Sequence, residues 1–456
     1  MVELRGKRVL VVGLGKSGVA AALLLARQGA RVIGNDVRAE ADLGAGAQAL
    51  RDAGVELALG AHDPALFESV DHIVVSPGVP PNEALRRAEA KGVPISSEVE
   101  LASWFVRGKI IAITGTNGKS TVTTLVGEMC KRSGAPTFVG GNLGTPLVDV
   151  VGTAAAEPGG YVVVEASSYQ LERVQRFRAN VAVLLNVTPD HLDRYATEDE
   201  YAAAKARVFE RQGPSDAAIV AAGDERCARL AAPSPAMKLT FGSDGDVRLE
   251  VTDGGADIVG PSFGFRVSRS ELKISGQHNV DNACAAILAA HAAGVAHEHI
   301  VAALRDFRGL PHRMQFVLTH RGVTYFDDSK ATNVGATVAA LDGLRDHGGR
   351  VVLLAGGRDK GGSYGPLRDA LLTKGRGAVL LGEAAPLIDE ALKGSGLAVE
   401  RASSMDGAVR AAARLAETGD AVLLAPACSS FDMFKSYAER GDVFQAAVQQ
   451  LAREGA

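Results

Sequence analysis

Lys109-Ile110-Ile111-Ala112-Ile113-Thr114-Gly115-Thr116-Asn117-Gly118-Lys119-Ser120-Thr121 is the stretch on which the reading of this chain turns. Ile110 to Ile113 is an apolar, β-branched run of the kind that forms a buried strand. Gly115 to Gly118 then breaks it. After the break Val122, Leu125, Val126 and Met129 fall on one helical face, and Ser133-Gly134 supplies a stop. Strand, glycine-rich turn ending in Lys-Ser, then helix is the layout of a phosphate-binding loop. Backbone N–H groups line such a turn and the helix N-terminus adds partial positive charge. Lys119 would reach the terminal phosphates and Ser120 would offer a hydroxyl to Mg²⁺. The usual G-x-x-x-x-G-K-[ST] spacing would need Gly at position 113, which is Ile, so this loop is the shorter G-x-x-G-K-S. A chance strand-to-helix turn is the competing reading, but four cues in the right order favour a nucleoside triphosphate site.

Outward from that loop, 456 residues leave room for three domains at roughly 150 residues each. Hydrophobic residues at 46% and charged ones at 22% describe an ordinary soluble globular protein. A net charge of −4, without a Lys/Arg stripe interleaved with aromatics, argues against nucleic acid as a partner. Cys130, Cys227, Cys284 and Cys428 are far apart and form no C-x-x-C pair, which fits a reducing compartment and no structural zinc. Met1 to Arg8 is charged and runs into a strand, so no signal peptide is expected, and no apolar run approaches a membrane span of ~20 residues. A cytoplasmic monomer is the expectation.

On the N-terminal side, Arg8-Val9-Leu10-Val11-Val12 reads as a strand, followed by Gly13-Leu14-Gly15-Lys16-Ser17-Gly18 and a helix from Val19 to Gln28. A second strand from Arg31 ends at Asn35-Asp36. This G-x-G-x-x-G, with an acidic residue about 20 positions on, fits a dinucleotide. Its physical requirement is only a backbone that closely approaches a pyrophosphate, so a UDP-sugar fits as well as NAD. His72 to Val75 is another strand, ending in Ser76-Pro77-Gly78, which reads as a rigid turn. Val93 to Ser97 reads as a linker.

On the C-terminal side, Gly140-Gly141-Asn142 is a second glycine-rich turn, and strand Tyr161 to Val164 delivers Glu165. A carboxylate at a strand end beside a phosphate loop is where a hard cation needs an oxygen ligand. Strand Val181 to Leu185 runs into Asn186-Val187-Thr188-Pro189-Asp190-His191. That His can be a metal ligand, an acid–base group or a polar cap. In a helix from Tyr201 to Gln212, Tyr201, Lys205, Val208 and Phe209 share a face, and Lys205 by itself reads as a snorkelling side chain. Residues 241 to 275 alternate like antiparallel hairpins, and Gly276-Gln277-His278-Asn279 then opens an Ala-rich helix with Asn279 and Asn282 one turn apart. Phe307 to Arg313 marks a further junction. Beyond it, three apolar strands deliver Asp327 to Asn333, Gly356 to Lys360 and Pro426 to Asp432, strand ends suited to an anionic small molecule. Cys428 reads as packed.

Taken together, the phosphate loop, Glu165-Ala166-Ser167-Ser168, Asn186 to His191 and Gly276 to Asn279 resemble the Mur ligases of bacterial peptidoglycan synthesis. Gly309 to Arg313, Asp328 to Asn333 and Pro426 to Ser430 resemble the branch of that family that adds D-glutamate to UDP-N-acetylmuramoyl-L-alanine. The resemblance covers nearly the whole chain, from Val11 to about Phe444. It implies an α/β protein of three domains: a Rossmann-like one over residues 1–98 for the UDP-muramoyl substrate, a central P-loop sheet with appended antiparallel strands over 99–312 for ATP, and a Rossmann-like one over 313–456 for D-glutamate. It also implies ATP-dependent amide formation through an acyl phosphate.

By resemblance, Gly115, Thr116, Asn117, Gly118, Lys119, Ser120, Thr121, Asn279, Asn282, Arg313 and Asp328 bind ATP. Ser120 and Glu165 hold one Mg²⁺. His191 helps hold a second, beside Lys205, which matches the family's carbamylated lysine. Gly15, Lys16, Ser17, Asp36, Val37, Ser76, Asn142 and His191 meet the UDP-muramoyl substrate, and Lys330, Thr332, Lys360, Ser430 and Tyr437 receive D-glutamate. Two positions depart from the pattern: Val37, where a hydroxyl is common, and Tyr437, where Phe is familiar. The alternatives are a related Mur or folylpolyglutamate-type ligase with another acceptor, or an NAD-dependent oxidoreductase, which leaves the second phosphate loop unexplained. A GTPase would need N-K-x-D, and Asn186 to Asp190 has neither that spacing nor the Lys.

Overall fold

Strand Arg8–Val12 lies third in a five-stranded parallel sheet, ordered Glu56–Leu59, Arg31–Asp36, Arg8–Val12, His72–Val75, Ile95–Ser97. The computed structural model describes residues 3–190, 194–252, 255–274, 276–344, 347–359, 361 and 363–454. They pack as two units: Met1–Val187, Asp199–Glu271 and Asn282–Arg305 form one, and Thr188–Glu198, Leu272–Asp281 and Asp306–Ala456 the other. The first sheet shares its unit with the sheet of the phosphate loop. Ile95–Ser97 corrects the linker reading of Val93 to Ser97, since it pairs with His72–Val75 as an edge strand. Pro94 can still serve there because only its carbonyl is used, accepting from Ile73 N–H at 2.9 Å.

The passage onward is helix Glu98–Ser103. Its buried Glu100 accepts hydrogen bonds from Gln175 N–H at 2.9 Å, Phe177 N–H at 2.9 Å and Trp104 Nε1 at 2.7 Å. A carboxylate satisfied by several donors is a strong anchor.

Lys109–Thr114 sits inside a six-stranded parallel sheet, ordered Met237–Phe241, Ala217–Ala221, Val181–Leu184, Lys109–Thr114, Tyr161–Glu165, Thr137–Gly141. Parallel strands covered on both faces carry continuous apolar runs, and Ile111 to Ile113 are fully buried. The expected hairpins are a three-stranded antiparallel sheet of Arg248–Thr252, Gly255–Gly260 and Phe265–Ser268. The helix carrying Lys205 is Glu198–Ala206, continued by a 3₁₀ turn Arg207–Phe209 and so shorter than expected.

In the second unit the sheet order is Gln315–His320, Val323–Asp327, Ala421–Leu424, Val351–Gly356, Gly375–Leu381, Ala398–Arg401. Five strands run parallel, and Gln315–His320 is antiparallel to its neighbour. That first strand was not foreseen. A two-residue turn makes the hairpin, with φ of 50° at Arg321 and 78° at Gly322, the positive pair a twisted antiparallel ribbon favours. No helix among the described residues is long and apolar enough to cross a membrane. All four cysteines are free and buried.

Candidate functional site

Thr114 closes a buried strand and Lys119–Arg132 begins as helix after only four intervening residues, so Gly115 to Gly118 must reverse the chain in one tight turn. Gly115 has φ of 146° and Gly118 of 85°, and a Cβ on Gly118 would strike Asn282 Oδ1. Only glycine meets both demands at Gly118. The loop is templated from the neighbouring strand end by Asn186. Thr116 N–H donates to its carbonyl at 3.0 Å, Asn117 N–H donates to its Oδ1 at 2.9 Å, and its Nδ2 returns to Asn117 O at 3.2 Å. The sequence placed Asn186 in a motif without assigning it this task.

Lys119 Nζ lies back over the loop, donating to Gly115 O at 2.8 Å and Thr116 O at 2.7 Å. Lys205 is 1% exposed, which excludes the snorkelling reading. Its Nζ donates to the same Gly115 O at 2.8 Å and sits 4.4 Å from the centre of the Tyr201 ring, whose hydroxyl is 3.2 Å from Thr116 Oγ1. Ser120 and Thr121 are buried on the first helical turn. In the sheet register Glu165 pairs with Ile113, which brings its carboxylate to the loop's edge. Glu165 Oε1 accepts from Asn142 Nδ2 at 2.7 Å, whereas Oε2 is buried without a hydrogen-bond partner among the described residues. An orphaned carboxylate oxygen beside a Ser-bearing phosphate loop is a hard-cation donor set, and the residues fit a Mg²⁺ ion.

The first glycine turn is in the same unit. Gly13 has φ of 84°, and a Cβ on Gly18 would strike Gly13 O, so the following helix packs directly on the turn. Ser76 Oγ donates to Gly13 O at 2.7 Å, and Leu14 N–H donates to Asp36 Oδ2 at 2.7 Å. Burial would raise the Asp36 carboxyl, but hydrogen bonds from the Arg38 side chain and backbone and from Leu14 outweigh it and hold it at about 2. With its oxygens engaged inside the turn, Asp36 organises the loop. Gly15 precedes helix Lys16–Arg27 with open space around it, Ser17 is half-buried, Val37 is 57% exposed, and Lys16 Nζ donates to Gly144 O at 2.6 Å. Leu14, Gly15, Lys16 and Arg38 are among the residues lining a groove of about 440 Å³.

In the second unit the structure gathers Asp328, Lys330, Ser430 and Tyr437 around two strand ends. Burial pushes the Asp328 carboxyl up to about 7, against the pull of the Arg313 charge and the Met314 N–H. Lys330 Nζ lies 3.9 Å from the centre of the Tyr437 ring, so the aromatic face at this departure position carries a cation. Ser430 is buried, Thr332 half-buried, and Asn333 caps helix Val334–Gly343 through Ala336 N–H. Asn279 lies in the first turn of helix Gln277–Ala292, on the part that belongs to this unit. Arg313 follows His312, whose φ is 58° and whose Nδ1 is 2.7 Å from Asp327 Oδ2. His191 and Lys360 lie outside the described residues.

Arg440 was not anticipated. Its guanidinium, 2% exposed, donates to Ser329 Oγ at 3.0 Å, Ser329 O at 2.8 Å and Cys428 O at 3.2 Å, tying together the two loops that carry Lys330 and Ser430. Burial pulls it down to about 10, which leaves it cationic at neutral pH. Arg440→Met would strand those acceptors and is expected to cost ~3 kcal/mol. Calorimetry of the whole chain should then show a transition lowered by roughly 6–12 °C; an unchanged melting curve would contradict the bridging role. A single Arg on a polar helix gives no periodic signal, so sequence reasoning had no handle on it.

The chain matches three family models: a Mur ligase MurD-like N-terminal domain over residues 7–97, a Mur ligase middle domain over 113–290, and a Mur ligase, glutamate ligase domain over 312–428. It is 47% identical to the UDP-N-acetylmuramoylalanine–D-glutamate ligase of Anaeromyxobacter dehalogenans and 44% identical to that of Geotalea daltonii, with 99% of each chain covered. In fold it is similar to the UDP-N-acetylmuramate-alanine ligase of Thermotoga maritima, at a TM-score of 0.60 and 20% identity over 98% of this chain and 100% of that one. It is also similar to the MurF ligase of the same organism in complex with ADP, at a TM-score of 0.62 and 18% identity over 86% and 97%.

Proposed function

Because the chain belongs to the Mur ligase family, we propose that it joins D-glutamate to UDP-N-acetylmuramoyl-L-alanine at the expense of ATP, in cytoplasmic peptidoglycan precursor synthesis. The observation that carries this reading is the full-length identity, 42% to 47%, with chains named for that reaction. The geometry supports it: one unit holds both glycine turns, and the second gathers a cation and hydroxyls at strand ends. Residues 1–98 are assigned to the UDP-muramoyl substrate, 99–312 to ATP and 313–456 to D-glutamate.

In the first step an oxygen of the alanyl carboxylate attacks the γ-phosphorus and ADP leaves. In the second, the amine nitrogen of D-glutamate attacks the acyl carbon, phosphate leaves and the ammonium proton is lost. Lys119 and the N-terminus of helix Lys119–Arg132 would face the phosphates and oppose the charge that builds there. Arg313, Asp328, Asn279 and Asn282 are assigned to ATP. Gly15, Lys16, Ser17, Asp36, Val37, Ser76 and Asn142 are assigned to the UDP-muramoyl substrate. Lys330, Thr332, Lys360, Ser430 and Tyr437 are assigned to the D-glutamate carboxylates. Ser120 and Glu165 would hold one Mg²⁺, and His191 with a carbamate on Lys205 a second, where the ions would neutralise charge on phosphate oxygens.

Phosphate release measured with ATP and UDP-N-acetylmuramoyl-L-alanine across a panel of amino acids tests the assignment. D-Glutamate should be the acceptor, with release near background when either the nucleotide-sugar acid or the amine is omitted. Full-rate ATP hydrolysis without the UDP-muramoyl substrate, or a preference for L-alanine, would overturn it.

A further inference from the structure

The two oxygens of Glu165 are treated differently by the protein: Oε1 is bonded to Asn142 Nδ2 at 2.7 Å, while Oε2 is buried without a partner among the described residues. We infer that Asn142 is a positioning residue for this carboxylate, holding Oε1 so that Oε2 alone is presented to a divalent cation. The inference rests on the ligase reading above, in which Glu165 is a Mg²⁺ ligand. It gives Asn142 a task distinct from the substrate contact assigned there.

The backbone around Asn142 is shaped for this task. Strand Thr137–Gly141 pairs with Tyr161–Glu165 so that Gly141 lies opposite Glu165. Gly141 has φ of 99°, and a Cβ there would sit 2.5 Å from Glu165 O, while a Cβ on Gly140 would strike Thr145 O. With side chains excluded at both positions, the chain folds over the end of the Glu165 strand. Gly141 N–H donates to Thr145 O at 2.8 Å and Asn142 N–H to Glu165 O at 2.8 Å. Lys16 Nζ ties the far side of the turn through Gly144 O at 2.6 Å.

Asn142 therefore grips one residue twice, by backbone and by side chain, and the carboxylate loses its freedom to rotate. A carboxylate held at one oxygen would bind a cation through the other, with the Ser120 hydroxyl as a further oxygen donor. Outer partners of this kind change metal affinity by roughly 10–100-fold.

Mn²⁺ binding to the intact protein with ADP, read from the free-ion electron paramagnetic resonance signal, separates this from a substrate contact because no turnover is involved. Asn142→Leu and Asn142→Ala keep the backbone bonds and should each weaken Mn²⁺ about tenfold. Glu165→Gln should weaken it at least as much, and Asn142→Leu should add nothing in that background. If Glu165→Gln weakens Mn²⁺ but the Asn142 variants bind normally and only raise the KM for the UDP-muramoyl substrate, the positioning role is overturned and the ligase reading stands. If Glu165→Gln itself leaves Mn²⁺ binding intact, the metal assignment falls and this inference with it. Additive effects of the two changes would also overturn the inference, because they would mean that Asn142 does not act through Glu165.

Discussion

Lys119→Ala is expected to lower kcat for amide formation by about a thousandfold while ADP still binds, a loss of ~4 kcal/mol in transition-state stabilisation. The asymmetry follows from where the ammonium sits. Lys119 Nζ is held against the loop by Gly115 O and Thr116 O at 2.8 and 2.7 Å, on the turn that would wrap the terminal phosphates. In the ground state those phosphates would also have the helix N-terminus. As the γ-phosphoryl group transfers, charge would accumulate on oxygens that the lysine could meet. Lys119→Arg should restore little, because a planar fork cannot reproduce a compact charge folded over two carbonyls. Isothermal titration with ADP beside steady-state phosphate release checks both halves. A kcat within tenfold of the unsubstituted enzyme would remove Lys119 from the chemistry.

The phosphate loop was readable in the sequence because each of its physical requirements leaves a residue-level trace. A buried parallel strand needs Ile110 to Ile113, a left-handed turn needs Gly118, and an amphipathic helix needs Val122, Leu125 and Met129 in step. The alternating stretch that became Arg248–Thr252, Gly255–Gly260 and Phe265–Ser268 was legible for a similar reason, since period-two patterning marks a half-exposed antiparallel sheet. Strand Ile95–Ser97 was misread because three residues after a proline are too short to show a period. Gln315–His320 was missed because edge strands need not be apolar, and its Phe316 is 58% exposed. What the sequence could not convey were the long-range bonds of single polar side chains. Asn186 shapes a loop 69 positions away and Arg440 holds Ser329 from 111 positions away. Neither contact has a spacing or a composition, only a fold that makes it.

The same limit bears on Lys205, whose surroundings give the resemblance a physical reason. Lys119 Nζ and Lys205 Nζ each lie 2.8 Å from one oxygen, Gly115 O, so the two nitrogens are within about twice that distance of each other. Two unit charges at about 5 Å repel by ~3 kcal/mol at an effective dielectric near 20. Lys205 is the buried member of the pair, its Nζ 4.4 Å from the centre of the Tyr201 ring, and burial in general disfavours a charge.

An ordinary lysine is neutral in well under about 1% of molecules at pH 7, and the neutral amine is the form that adds CO₂. Carbamylation forms one N–C bond and releases one proton. The product keeps an N–H that can still donate to Gly115 O, and its anionic oxygens turn repulsion from Lys119 into attraction. Lys205→Arg is therefore expected to be nearly inactive, with kcat reduced about a hundredfold or more, because it keeps the cation and cannot carbamylate. Lys205→Glu, shorter but anionic, should retain more activity than Lys205→Arg, and added bicarbonate should stimulate the unsubstituted enzyme but neither variant. Intact mass at neutral pH with CO₂ present should show one added carboxylate on the unsubstituted chain. If arginine preserves turnover, or if the active protein carries no such mass, the carbamate is ruled out and Lys205 acts only as the second cation on Gly115 O.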